Sequence, residues 1–259
     1  MEDHGEDRLV RERDFWDHAV PTLSESIAEY EAGPDKNTAL MLDAVRPETN
    51  PKILDFGSGS GVTSCWLAAR GARVTGVDLS PNSVRLAAAL AAHLGLDIRF
   101  LMADIERLDF GNDPYDGLVG RYALHHLDVA SVLPAMNQAL KPGGTAAFVE
   151  TMALNPILRF ARNNLIGRFG IPRYGTLDEH PLTRKDVDAV RLVFPEVEVL
   201  TGDYEFLWLL DRQVLRFRWP LASRALKAAD STLYKIPAIK DWGFHQVIVA
   251  RKPLATPQA

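Results

Sequence analysis

The chain has a single cysteine, Cys65, among its 259 residues. A lone thiol excludes an intrachain disulfide framework and a cysteine zinc cluster, and it suits a reducing compartment. No metal site is expected. No stretch approaches the roughly 20 apolar residues of a membrane-spanning helix. The opening segment MEDHGEDRLVRERD is charged and lacks an apolar run, so no secretory signal is read there. Internal repeats and low-complexity segments are also missing. These absences describe a cytoplasmic protein without a transmembrane segment.

With 47% hydrophobic and 24% charged residues, the chain can bury a core as one domain with elaborations. Net charge is −5, a balance that argues against a nucleic-acid partner. The charge is uneven. Residues 1–150 hold 13 Lys and Arg against 23 Asp and Glu, whereas residues 151–259 hold 16 against 11. Either solvated helix faces differ, or the basic half meets an acidic or interfacial substrate.

The first fifty residues read as helical: Phe15, Trp16, Ala19, Val20 and Leu23 recur at helical spacing, and Asp35 can cap a second helix that Pro47 ends. From 52 to 150 the chain alternates short strands, at 52–56, 73–78, 97–102, 116–120 and 145–150, with helices at 61–70, 81–94 and 129–140. Ser80-Pro81 opens the second of these helices as cap and first turn. Such alternation predicts an α/β fold with a parallel sheet covered by helices on both faces. After 150 the pattern changes: an amphipathic basic helix over 155–169, a turn-rich segment GIPRYGTLDEHPL, and a helix capped by Thr183. Strands follow at 197–204 and 242–250 around an apolar, aromatic helical region, 205–235, and the tail KPLATPQA is expected to be disordered.

The run PKILDFGSGSG carries an apolar strand, an acid, and glycines at 57, 59 and 61. Seventeen residues beyond Gly61, a second strand, ARVTGVD, ends in Asp78. A glycine loop after one strand with an acid ending the next holds a nucleoside by its ribose hydroxyls. A dinucleotide loop would place its third glycine two residues past the second, and here it comes one residue early. No Lys-Ser/Thr pair follows, so this is not a P-loop. A nucleoside ligand without phosphates remains.

At these residues the sequence resembles the class I S-adenosylmethionine-dependent methyltransferases of small-molecule type, over about 36–150. ILDFGSGSG is similar to their first motif and GVDLS to their acidic ribose motif. MADIERLDF resembles the adenine-contacting segment, DGLVGRYALHHL the fourth-strand segment beside the transferable methyl, and LKPGG the turn before the fifth strand. The resemblance implies a Rossmann-like, seven-stranded, mostly parallel sheet with an antiparallel last strand. It also implies a helical lid built from N-terminal and C-terminal insertions. The chain is then one methyltransferase domain: 1–50 N-terminal helices, 51–150 cofactor-binding core, 151–241 lid and substrate-selecting segments, and 242–252 last strand. S-adenosyl-L-methionine is the implied cofactor. Gly57, Ser58, Gly59 and Gly61 would lie against its methionine part, with Asp55 near the amino group. Asp78 would accept from both ribose hydroxyls, Leu79 would pack on the adenine, and Asp104 with Ile105 would contact its edge. Gly120 and Arg121 would complete the set. Asp104 could instead be a helix cap.

Such chemistry is an in-line displacement, and a hydroxyl acceptor must also lose a proton. His125 and His126 follow the fourth strand, and His180 lies in the insertion that would fold over the methyl end. Histidine is suited to take a proton near neutral pH, and His126 is preferred over His125 and His180. Each histidine could instead be structural, and Cys65 reads as core. Arg121, Glu150 and Asn155 could line the same mouth.

An Asn/Asp-Pro-Pro-aromatic run is lacking after the fourth strand, where Gly120-Arg121-Tyr122-Ala123 stands. That run is typical of amino-group methylases acting on nucleobases or amides, so the resemblance favours a small-molecule hydroxyl instead, for example on a sugar, glycolipid or secondary metabolite. N- or C-methylation, a non-catalytic cofactor-binding module and a nicotinamide dehydrogenase are the alternatives. Arg159, Arg162 and Arg168, with Trp208, Phe217 and Trp219, could form an interfacial surface or pack on the lid core.

Overall fold

A computed structural model of the chain describes residues 3–108, 113–165 and 180–254. Arg168 and most of the turn-rich segment lie outside these residues, as does the end of the tail. Three helices lead: α1 (Asp3–His18), α2 (Leu23–Ala32) and α3 (Lys36–Ala44). The continuous spacing through Leu23 hides a break. Pro21 interrupts the ladder, and Thr22 starts α2 in a capping box with Glu25. Asp35 caps α3 by accepting from Thr38 N at 2.8 Å.

The alternating core follows as β1 (Lys52–Phe56), α4 (Val62–Ala69), β2 (Arg73–Asp78), α5 (Pro81–His93), β3 (Arg99–Met102), β4 (Tyr115–Arg121), α6 (Val129–Ala139) and β5 (Leu140–Thr151). The chain continues with α7 (Pro156–Asn164), α8 (Arg184–Val193), β6 (Glu196–Leu200), α9 (Phe206–Leu210), α10 (Pro220–Leu233) and β7 (His245–Arg251). The seven strands form one sheet in the order β3-β2-β1-β4-β5-β7-β6. All pairings are parallel except those of β7, which runs antiparallel to both β5 and β6. This is the Rossmann-like, mostly parallel sheet that the sequence implies.

Two strands depart most from expectation. The LKPGG segment belongs to β5, joined through a register shift opposite Tyr115 and Gly117. The expected strand 197–204 ends at Leu200 because Asn37 on α3 draws the next backbone away, accepting from Gly202 N at 2.7 Å.

Side chains alternate between two buried layers with the strand period of two. Leu54, Leu118, Phe148 and Ile248 pack in one layer with α6 and α8 residues such as Leu133 and Val190. Ile53, Val119, Val149 and Val249 pack in the other with Met41 of α3, Cys65 of α4 and Leu90 of α5. Among the described residues no helix is long and apolar enough to cross a membrane.

Candidate functional site

The strand order reverses at β1, which has β2 on one side and β4 on the other. The connections leaving these strands diverge, and a crevice opens at their carboxyl ends. It forms a cavity of about 270 Å³.

The loop after β1 is pinned to β2, because Ser58 N donates to Val77 O at 3.0 Å and Gly61 N closes a turn on Ser58 O at 2.8 Å. Gly59 has a φ of 51° and donates its N–H to Asp78 Oδ2 at 2.8 Å. A Cβ at Gly59 would meet nothing within 4 Å, since that side borders the cavity. Gly61 serves packing instead: with φ of 81°, its added Cβ would lie 2.7 Å from Ala87 Cβ on α5.

Asp78 ends β2 with Oδ1 accepting from Ser80 N at 2.9 Å. Burial pushes its carboxyl up, while the N–H groups of Ser80, Gly59 and Leu79 pull it back down. Each carboxylate oxygen keeps capacity for another donor. Leu79, Ala103 and Ile105 give the cavity an apolar wall beside it. Asp104 both lines the cavity and caps the following turn, accepting from Glu106 N at 2.9 Å. Ser58 also lines the cavity, and its buried Oγ lacks a hydrogen-bond partner. A carboxylate for vicinal hydroxyls, an apolar slot for a flat base and an unsatisfied hydroxyl by the loop fit an adenosyl amino acid.

Three of the expected cofactor residues do not line this cavity. Gly61 packs against α5 as described. Gly120 sits within the sheet, where a Cβ would come 2.8 Å from Phe148 Cδ1. Asp55 is wholly buried and accepts from Ser64 Oγ at 2.6 Å, and burial pushes its carboxyl up to about 7. Arg121 does line the cavity, with its guanidinium 2.5 Å from Glu29 Oε1.

The histidines sit around a second cavity of about 340 Å³, lined by His125, His126 and His180 together with Arg8, Asp128 and Asp186. His126 lines both cavities. His125 Nδ1 lies 2.8 Å from Glu150 Oε2. The other oxygen of the buried Glu150 accepts from Ala123 N at 3.0 Å and Leu124 N at 2.7 Å. His126 Nδ1 lies 3.1 Å from a carboxylate oxygen of Glu12. His125 is thus oriented through Nδ1 and presents Nε2 as its second nitrogen, whereas the His126–Glu12 approach is a charge contact without hydrogen-bond geometry. Asn155 is a structural cap, accepting from Ile157 N at 2.9 Å.

Sequence reasoning missed two parts of the site. Leu9, Glu12 and Trp16 of α1 line the first cavity. Their spacing of three and four residues marks one helix face, a signal that was present but carried no ligand chemistry. Tyr122 also lines it, with a φ of 61°, and burial pushes its hydroxyl above the ordinary range. Its ring lies 4.7 Å from that of His245, whose Nδ1 is 2.7 Å from Glu205 Oε2.

A family profile described as "Methyltransferase domain" matches residues 53–144. Over these residues the chain matches a methyltransferase domain, and its sheet is similar in fold to the class I S-adenosylmethionine-dependent enzymes. That domain is 36% identical over 110 residues to an uncharacterized methyltransferase of Mycobacterium tuberculosis, covering 42% of this chain and 55% of the relative. It is 36% identical over 136 residues to ribosomal protein L11 methyltransferase of Thermus thermophilus, covering 51% and 52%. Against ubiquinone biosynthesis O-methyltransferase of Methylocella silvestris it is 36% identical over 102 residues, covering 39% and 40%. The chain spans about half the length of the curated relatives it matches. Among solved structures, geranyl diphosphate C-methyltransferase from Streptomyces coelicolor shares the fold. Its TM-score is 0.57 at 16% identity, over 84% of this chain and 78% of that one.

Proposed function

We propose that this methyltransferase domain transfers the methyl group of S-adenosylmethionine to a hydroxyl of a small molecule such as a sugar, glycolipid or secondary metabolite. The observation that carries the reading is the shared wall: His126 borders both the Asp78 cavity and the three-histidine cavity. The first cavity is assigned to the cofactor and the second to the acceptor. When bound, S-adenosylmethionine supplies a sulfonium whose methyl is open to in-line displacement. The chain's part is alignment, exclusion of water and removal of one proton. Asp78, held in place by the Gly59 N–H, fixes the nucleoside end. His126, with Glu12 beside its Nδ1, takes the acceptor's proton, and His125 on Glu150 and His180 are the other candidates. The lack of an Asn/Asp-Pro-Pro-aromatic run after β4 supports a hydroxyl over a nucleobase or amide.

Calorimetry and single-turnover assays test this assignment. Asp78→Ala should abolish measurable S-adenosylhomocysteine binding. His126→Ala should keep that affinity and slow methyl transfer by about 10²-fold or more once an acceptor is found in a metabolite panel. Retained nucleoside binding in the Asp78 variant would overturn the cofactor assignment, and unchanged turnover in the His126 variant would move the base to His125 or His180.

A further inference from the structure

The segment between β6 and β7 folds into a helical hairpin, none of whose residues lines either cavity described above. Asp230 on α10 builds it by capping α9, accepting from Leu207 N at 2.8 Å and Trp208 N at 2.9 Å on its two oxygens. After α9 the chain makes a π-helical turn, Asp211–Leu215, and then reverses. Arg216 and Phe217 take left-handed φ values of 54° and 55°, and Pro220 opens α10. The reversal therefore divides the expected helical region over 205–235 into two helices and leaves the tip between them exposed.

The tip reads Arg216-Phe217-Arg218-Trp219-Pro220-Leu221, and all six residues are exposed. Phe217 is 48% exposed, Trp219 62% and Leu221 81%. Within α10 the one buried residue is Asp230. Large apolar side chains left in water beside one another mark a surface that is covered by something in use.

Charge decides what covers it. Between 206 and 229 the basic residues are Arg212, Arg216, Arg218, Arg224 and Lys227, and the one acid, Asp211, is buried. The exposed charge is therefore all positive and interleaved with an aromatic pair and a leucine. A second copy would bring like charge against like charge in a two-fold contact. An anionic surface that also accepts apolar rings satisfies both halves of the pattern, and Trp flanked by Arg suits the depth of lipid headgroups. We propose that the hairpin tip at 216–221 docks this protein peripherally onto bilayers containing anionic phospholipid. The inference is independent of which acceptor is methylated.

Co-sedimentation of the full chain with phosphatidylcholine vesicles, with and without phosphatidylglycerol, tests it. The chain should pellet with the phosphatidylglycerol vesicles, remain free with pure phosphatidylcholine, and be released by salt. The double variant Arg216→Ala/Arg218→Ala should lower the partition coefficient about 30-fold. Phe217→Ser/Trp219→Ser should lower it by at least about tenfold. Thermal melts should be unchanged in both, since these side chains are exposed. No pelleting with phosphatidylglycerol at low ionic strength would overturn the proposal, as would both double variants partitioning like the parent chain. A concentration-dependent dimer that Trp219→Ser dissolves, without vesicle binding, would reassign the tip to self-association.

Discussion

Asp55 holds the sharpest conflict between charge and burial. Oδ2 accepts from Ser64 Oγ at 2.6 Å, Oδ1 lacks a hydrogen-bond partner, and the side chain is buried away from water. Burial pushes the carboxyl up to about 7, against the opposing pull of Ser64 and Arg121. In the unfolded chain an aspartate titrates at about 3.9. The folded state therefore holds a proton that the unfolded state has released over this interval. That contribution to stability is fully present below about 4 and is lost as pH rises towards 7. Asparagine keeps the shape and cannot ionise. Asp55→Asn should match the parent chain near pH 4 and exceed it at pH 8 by on the order of 2–4 kcal/mol. Urea unfolding at both pH values gives this difference directly, and an identical pH slope in the two proteins would show that Asp55 is ionised when folded.

Helix α1 shows how an element gains a role that its own sequence does not announce. Arg8 near its start pairs with Glu106 at 2.5 Å and donates to His126 O at 2.7 Å. At its end, Asp17 accepts from Asn82 N at 3.1 Å at the start of α5. Between these ties, Leu9, Glu12 and Trp16 border the proposed cofactor cavity. Loosening both ties should raise the dissociation constant of S-adenosylhomocysteine. The variant Arg8→Ala/Asp17→Ala is expected to bind it at least about tenfold more weakly by calorimetry, with the melting temperature lowered by only about 2–4 °C. A large loss of melting temperature would make α1 part of the folding core. The β-α alternation from Lys52 onwards was legible because strands and helices bury residues at different periods, so KILDF and its neighbours declare both element and face. The role of α1 was not legible. Phe15 and Trp16 announce a helix, but nothing local says that Arg8 meets Glu106 across 98 positions. Pro21 and Thr22 were the missed break, and Asn37, which turns the chain after Leu200, acts across 165 positions. Tyr122, His245 and Glu205 escaped for the same reason: they meet only after β7 is laid antiparallel to β5.

At the scale of the whole molecule, the sheet makes two hydrophobic layers into one cooperative unit. Consecutive residues of β1 belong to opposite layers, Leu54 to that of α6 and α8, Ile53 to that of α3, α4 and α5. A strand cannot release one face and keep the other, because the same backbone carries both. The single cysteine is a reporter for this coupling. Cys65 lies on α4 with no exposed surface, and burial pushes its thiol up to about 12, so it should be inert to a thiol reagent in the folded state. Its labelling should then require an opening of the fold. Leu54→Ala leaves Cys65's own layer intact and should cost about 2–5 kcal/mol by leaving a cavity in the other. If both layers open together, a loss of about 3 kcal/mol accelerates Cys65 labelling on the order of 100-fold at reagent concentrations where closing is faster than reaction. Labelling that stays at the parent rate, although urea unfolding registers the lost stability, would mean that α4 opens locally by a route that leaves the sheet standing.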